Sequence, residues 1–221
     1  MAQTENCSRE RILARIRTAL KAPGKGAVAH HARSAPAPLF ATISDAFERF
    51  QQECAGNNTE LIVTPNARAS AAALNEVLAP IPAGEVFVQD APVLRRMPLS
   101  PQIQAKIRWS TESAPSENAQ ATVTLADVLV AQTGSVVVSA ACGGRGASFV
   151  APVHIVLATV GQLVPTLDAA FARLRERGMV RENSYLCLIT GSSRTADIEK
   201  ILVMGAHGPR RFVVILALSE P

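Results

Sequence analysis

The segment from Thr190 to Arg211 combines glycine, hydroxyl and guanidinium groups in a pattern suited to holding a small anion. Gly191 permits a tight turn that most side chains would forbid. The donors that follow it are Ser192, Ser193, Arg194 and Thr195. Hydroxyls and a planar guanidinium match the geometry of a carboxylate or a phosphate. These residues predict an anion site, but they identify neither the anion nor a reaction.

The local pattern predicts how this donor set is positioned. SYLCLIT is expected to form a buried strand that ends at Thr190, followed by a helix over 193–203 that is capped by Ser192 or Ser193. A helix start offers free N–H groups and a positive dipole end, and α/β proteins bind ligands at the carboxyl edge of a parallel sheet. The alternative is an ordinary capped helix with no ligand.

The second half of the segment carries Gly205, His207, Gly208, Pro209 and Arg210. His207 is the candidate for proton transfer, with a hydrogen-bonded structural histidine as the alternative. A helix over 193–203 would place this loop at its far end, away from its first turn. We therefore expect the loop to be a separate feature. His207, Gly208 and Arg210 are its ligand-binding candidates, and bracing of a partner surface is the alternative.

A second group of polar residues lies between apolar strands. Gln132, Thr133, Gly134 and Ser135 form a polar turn between DVLVAQ and SVVVSA. Gly143, Gly144 and Arg145 form a loop able to wrap around an anion, with a flexible crossover loop as the alternative. The spacing matches neither a P-loop nor a dinucleotide-binding fingerprint. His154, inside a strand, is expected to be a core or sheet-edge residue.

The elements around these groups predict an α/β fold. Composition is 48% hydrophobic and 18% charged, as in a globular chain. Helices and strands alternate after Pro38, and the strands are continuously apolar, which favours an open, mainly parallel sheet with helices on both faces. The expected partition is a basic helical arm and linker over 1–38 and an α/β domain over 39–221.

The arm accounts for the net charge of +4, since residues 1–34 hold seven basic and two acidic side chains. A helix from Ser8 to Leu20 is expected, with a linker over 22–38. Its apolar stripe requires a docking surface, either on its own domain, in a homo-oligomer or on a partner protein. One Trp and one Tyr argue against nucleic-acid binding. Scattered cysteines predict no metal site, and the absence of a signal core or long apolar run predicts a cytoplasmic protein without a membrane span.

Four motifs together resemble the LUD-domain family of lactate-utilisation proteins, specifically its LutC/YkgG branch: AQTGSVVV, PVHIVLAT, TGSSRTADIE and GAHGPRR. The resemblance covers residues 40–218. It implies a fold like that of sugar-phosphate isomerases and CoA transferases. It also implies a role in oxidising L-lactate to pyruvate with LutA-like and LutB-like iron–sulfur proteins, which would carry the clusters while this chain binds no cofactor itself.

Gln132 departs from the family's usual turn, Ala-Glu-Thr-Gly-Thr. A glutamate there could act as base or nucleophile, whereas an amide cannot. We therefore expect a subunit of a lactate-oxidising complex, which binds a small anion or supports its partners, in preference to a complete enzyme. The alternative is a stand-alone transferase or isomerase acting on a phosphorylated or CoA-linked substrate.

Overall fold

A computed structural model describes residues 2–21, 42–82, 84–112, 118–195, 203–204 and 208–219. The chain forms two compact units, Met1–Thr42 and Ile43–Pro221. In the first unit, helix α1 spans Ala2–Lys21 and extends beyond the predicted helix at both ends. Its apolar side chains Ile12, Ile16 and Leu20 are exposed by 57%, 49% and 81%. The predicted linker, residues 22–38, lies outside the described residues.

The second unit is built on a six-stranded parallel sheet in the order β1-β12-β7-β4-β2-β3. Its strands are β1 (Thr59–Thr64), β2 (Glu85–Val88), β3 (Ile107–Trp109), β4 (Ala119–Leu125), β7 (Val153–Thr159) and β12 (Arg211–Ala217). Six consecutive residues of β12 are buried, because both faces of the central strands are covered. The prediction of an open, mainly parallel α/β sheet is confirmed.

One face of this large sheet is covered by helices. They are α3 (Ala67–Leu78) and the single turns α4 (Pro92–Arg95) and α5 (Pro101–Gln104). The Asn66 side chain caps α3 as expected, accepting from Ala69 N at 3.0 Å. Leu74 and Leu78 of the helix pack with Ile155 and Ile215 of the sheet in one core.

The other face is covered by α2 (Ala46–Gly56) and by a second sheet. That sheet has the order β8-β5-β6-β9, with strands β5 (Val128–Val130), β6 (Ser135–Ser139), β8 (Leu163–Val164) and β9 (Leu186–Ile189). Its outer side packs on α6 (Leu167–Glu176), with α7 (Met179–Glu182) following. The sequence predicted β5, β6 and β9, but neither the short strand β8 nor that these strands form a layer of their own.

The helix expected over 193–203 is wrong in its described part. Residues Arg194–Thr195 form strand β10 and Val203–Met204 form β11, paired antiparallel with Arg194 opposite Met204. The serines and acids favoured a capped helix locally, yet strand pairing overrides a local propensity of this size. A ten-residue helix would hold its ends about 15 Å apart, whereas the pairing brings them side by side.

None of the described helices combines the length and the apolar character that crossing a membrane requires.

Candidate functional site

The two halves of the 190–211 segment meet in the structure. Ser193 N donates to Pro209 O at 2.8 Å, and Gly208 packs against the Ser193 side chain. Because no helix begins at Arg194, the chain returns beside its starting point. The expectation that the front and back halves are separate features is therefore wrong.

This segment lies at the amino edge of the large sheet. Strand β9 belongs to the second sheet, and Arg194, which follows it, donates to the carbonyl of Asn57, two residues before β1 begins. Residues 208–210 lead into the amino end of β12, where Phe212 pairs with Thr59 at the start of β1. The carboxyl-edge position predicted for Gly191 to Thr195 is therefore wrong.

The turn after β9 fits closely against the end of α2. Gly191 has φ of +78°, and a Cβ on it would lie 2.0 Å from Asn57 O. That same carbonyl accepts from Arg194 Nη2 at 2.7 Å. Ser192, in between, is buried. The turn thus holds the Arg194 guanidinium against Asn57, which directly precedes Asn58.

A polar cleft of about 300 Å³ lies beside this contact, and we call it the arginine cleft. It is lined by Ala55, Asn58, Thr59, Glu60, Arg210, Arg211 and Phe212. Arg211 donates to both carboxylate oxygens of Glu60 at 2.8 Å, and this bonding raises the pKa of Arg211. The Arg210 side chain is exposed and has no ion-pair partner within the part of the chain that the structure describes.

The electrostatics of the cleft favour an anion. Two guanidinium groups, those of Arg210 and Arg211, line the cleft together with one carboxylate, that of Glu60. A third, that of Arg194, is held by the carbonyl of Asn57, the residue before the cleft residue Asn58. Arg211 and Glu60 satisfy each other, so Arg210 is the group whose planar fork remains to bind a carboxylate or phosphate. Thr59 adds a buried hydroxyl with no hydrogen-bond partner among the described residues.

The 132–135 turn braces the cleft from the second sheet. The Thr133 and Ser135 hydroxyls lie 2.7 Å apart, and Ser135 Oγ lies 2.7 Å from Thr190 Oγ1. Asn57 Nδ2 donates to Thr133 O at 2.9 Å, and Gly134 packs against Glu53 at the end of α2. The hydroxyls therefore satisfy one another, and the Thr133 carbonyl fixes the position of the Asn57 side chain.

Gln132 has a capping role. Its Oε1 accepts from Leu167 N, at the first residue of α6, at 3.1 Å. The amide oxygen thus satisfies one of the free N–H groups at that helix start. A side chain at this position points to the start of α6, and the structure does not bring it to the arginine cleft.

The 143–145 loop lies at the other end of β6 from Ser135. Gly143 packs against Phe87 and Ser110, and Gly144 follows it. Arg145 donates to Ser184 O at 3.4 Å, and its guanidinium carbon lies 5.9 Å from the centroid of the Tyr185 ring. The structure does not place this loop beside the cleft.

Two further residues that the sequence singled out remain. Thr195 pairs with Val203 in the β10–β11 hairpin, and His207 lies outside the described residues.

His154 is a core residue, as expected. It is fully buried, its Nε2 lies 2.9 Å from Thr124 Oγ1, and its ring centroid is 5.4 Å from that of Phe212. Burial lowers the pKa of His154 to about 3, so the ring is neutral at physiological pH. A neutral, enclosed imidazole is a packing element of the β7 strand.

The cysteines that the structure describes fit a structural role. Burial raises the pKa of Cys54 to about 12 and that of Cys142 to about 11. Both thiols are therefore protonated near neutral pH and poor nucleophiles. Across the described ranges, no three or more His, Cys, Asp or Glu side chains come together in a group that could hold a metal ion.

Sequence reasoning missed Asn57, Asn58, Thr59 and Glu60 as parts of this site. They stand about 150 residues before Arg211, and only the pairing of β1 with β12 brings them together. One local signal was present: Asn58 has φ of +61°, and asparagine is favoured in that conformation. It marks a tight turn before β1 but does not identify a ligand site.

The sequence and fold of the chain are similar to those of known proteins. The family model described as LUD domain matches residues 39–217. A protein of Macrococcus caseolyticus named lactate utilization protein C is 28% identical over 184 residues, which is 79% of each chain. A protein of Geobacillus kaustophilus with the same name is 29% identical over 196 residues, 80% of each. A solved DUF162 family structure from Deinococcus radiodurans shares the fold, with TM-score 0.60 and 22% identity, covering 80% of this chain and 99% of that one.

Proposed function

The chain belongs to the LUD domain family, and from this premise we propose that it is a component of an iron–sulfur L-lactate oxidation system. In this role it binds a small carboxylate in the arginine cleft and supports LutA-like and LutB-like partner proteins. The relatives named lactate utilization protein C support the pathway. The observation that carries the ligand class is the Arg210 guanidinium, exposed in a cleft where Arg211 already neutralises Glu60.

In this role the residues of the chain bind and orient the ligand. Among the described residues that line the cleft, none is placed as a proton acceptor. L-Lactate and pyruvate each carry one carboxylate, which a planar guanidinium binds through two parallel hydrogen bonds. Glu60 is held by Arg211, and the hydroxyls of Thr133 and Ser135 are bonded to each other. Iron–sulfur clusters on partner proteins would supply the electron acceptance that the oxidation of lactate requires.

Titration calorimetry with L-lactate, pyruvate, phosphate and a CoA ester tests the ligand. We expect pyruvate or lactate to bind and the Arg210→Ala variant to bind it at least about tenfold more weakly, as loss of a charge-assisted contact predicts. Arg175→Ala removes an exposed arginine from α6 and should bind as the unchanged protein does. Binding of phosphate and the CoA ester alone would contradict the proposal and favour a transferase or isomerase.

Helix α1 is the proposed contact with a partner subunit. Its exposed Ile12, Ile16 and Leu20 follow a spacing of four, so they lie on one face of the helix. Arginines on the rest of its surface favour an acidic rim around the partner's apolar groove.

Co-purification with the LutA-like and LutB-like proteins tests the assembly. We expect Ile16→Glu to reduce recovery of the partners, while Thr18→Glu, on the other face of the helix, serves as the matched control. Deletion of the gene should abolish growth on L-lactate. Unimpaired growth together with no association would refute the proposed role.

A further inference from the structure

A second cavity lies at the carboxyl edge of the large sheet, and it plays no part in the proposed function. It has a volume of about 320 Å³ and spans the carboxyl ends of the three adjacent strands β12, β7 and β4. Its floor includes Leu125, Leu157 and Ala217, and Val93 and Met97 close one side. Carboxyl edges of parallel strands are where α/β proteins bind ligands.

This carboxyl-edge cavity is remote from the arginine cleft. Arg211 begins β12 at the cleft, and Ala217 ends the same strand at the cavity. Seven residues of strand span about 20 Å. The two sites are therefore at opposite edges of one sheet and require separate ligands.

The lining determines the shape of the ligand. Small side chains at the strand ends, Ala126, Ala158 and Ala217, leave the space that larger residues would fill. Since a water molecule occupies about 30 Å³, the volume corresponds to about ten water-sized groups. L-Lactate has six heavy atoms and is polar, so it would neither fill this space nor match its largely apolar walls.

The rim determines the charge of the ligand. Arg177 lines the cavity and is exposed; one of its N–H groups donates to Asp127 O at 3.4 Å, and a guanidinium has five such donors. Ala67, the first residue of the twelve-residue helix α3, lines the opposite side, so the positive end of that helix adds to the field. Both features favour an anionic group at the mouth, above an apolar body.

We propose that the carboxyl-edge cavity binds a monocarboxylate of about ten heavy atoms in total with an apolar body, such as a medium-chain fatty acid. The alkyl chain packs against Leu125, Leu157 and Met97. The carboxylate pairs with Arg177. Binding here is independent of binding in the arginine cleft.

Calorimetric titration of the full chain with sodium octanoate tests this proposal, with octanol and octylamine as probes of charge. We expect saturable binding of octanoate, weaker binding of octanol and the weakest of octylamine. Ala67→Phe should fill the cavity and weaken octanoate binding at least about tenfold. Ala72→Phe is the matched control, because Ala72 is exposed on the same helix and does not line the cavity.

The charge of the rim is tested with Arg177→Ala, for which Arg175→Ala, in the last turn of the preceding helix α6, is the control. Arg177→Ala should abolish the preference for octanoate over octanol. Arg210→Ala should leave octanoate binding unchanged, which separates this site from the arginine cleft. The proposal is overturned if octanoate does not saturate, or if the Ala67→Phe variant binds it as tightly as the unchanged protein.

Discussion

The turn at Gly191 provides a sharp test of how the arginine cleft is built. Gly191→Ala adds a single methyl group at a residue with φ of +78°. That methyl carbon would lie 2.0 Å from Asn57 O and 3.0 Å from Asn57 C. Contacts this short to backbone atoms require the Asn57 turn to move.

Two effects contribute to the expected loss of stability. The left-handed conformation costs about 1–2 kcal/mol for a residue with a Cβ. Displacing Asn57 also weakens two hydrogen bonds of 2.9 Å, from its backbone N–H to Glu53 O and from its side chain to Thr133 O. Each such hydrogen bond contributes about 1 kcal/mol to the free energy of unfolding. The free energy of unfolding should therefore fall by about 3 kcal/mol.

Gly178→Ala separates the two effects. Gly178 is in the left-handed conformation with φ of +72°, and the nearest atom to a Cβ there would be Oε1 of the flexible Glu182 side chain, at 3.1 Å. It should therefore show the conformational cost alone, about 1–2 kcal/mol. Urea unfolding followed by circular dichroism measures both variants, and calorimetry with the cleft ligand measures the further loss of binding expected only for Gly191→Ala.

Equal destabilisation by the two substitutions would contradict this prediction, since it would mean that the close contact between Gly191 and Asn57 does not affect the free energy of unfolding. If the Gly191→Ala protein is strongly destabilised but binds the ligand with full affinity, the Gly191 turn does not position the arginine cleft.

Three further predictions concern pH and charge. Burial lowers the pKa of His154 from 6.5 to about 3, so the folded state is stabilised above pH 6.5 and loses this stability as the pH falls towards 3. At pH 5 the free energy of unfolding should be lower by about 2 kcal/mol. His154→Gln should make the urea midpoint less dependent on pH between pH 6.5 and 3. Gln132→Glu places a carboxylate at the N–H of Leu167 and should raise the unfolding free energy by about 0.3–1 kcal/mol, whereas a lower urea midpoint would count against the capping role. Glu60→Gln should change stability by less than about 1 kcal/mol, because its pair with Arg211 is exposed, but should strengthen anion binding severalfold in calorimetry; weaker binding would argue against the cleft.

The strands and the large helices were predictable because their signals are local. Continuous apolar runs marked β7 and β12, and Asn66 marked the start of α3. Alternation of such elements implied a parallel sheet. The separate four-stranded layer was not predictable, since β5, β6 and β9 are apolar runs of the same kind and only their pairing assigns them to a second sheet.

For the candidate site, the sequence predicted the type of residue but not how the residues are arranged. Its chemistry was visible in the sequence, because Arg194 and Arg210 stood out as anion ligands. Its geometry depended on one element, the segment after Gly191, where serines and acids favoured a helix and the structure forms the β10–β11 hairpin. That single difference moves the site from the carboxyl edge to the amino edge and joins the two halves of the motif. It also leaves the carboxyl edge free for an apolar cavity whose lining comes from many segments, including Leu125, Leu157 and Arg177, and which no contiguous motif could reveal.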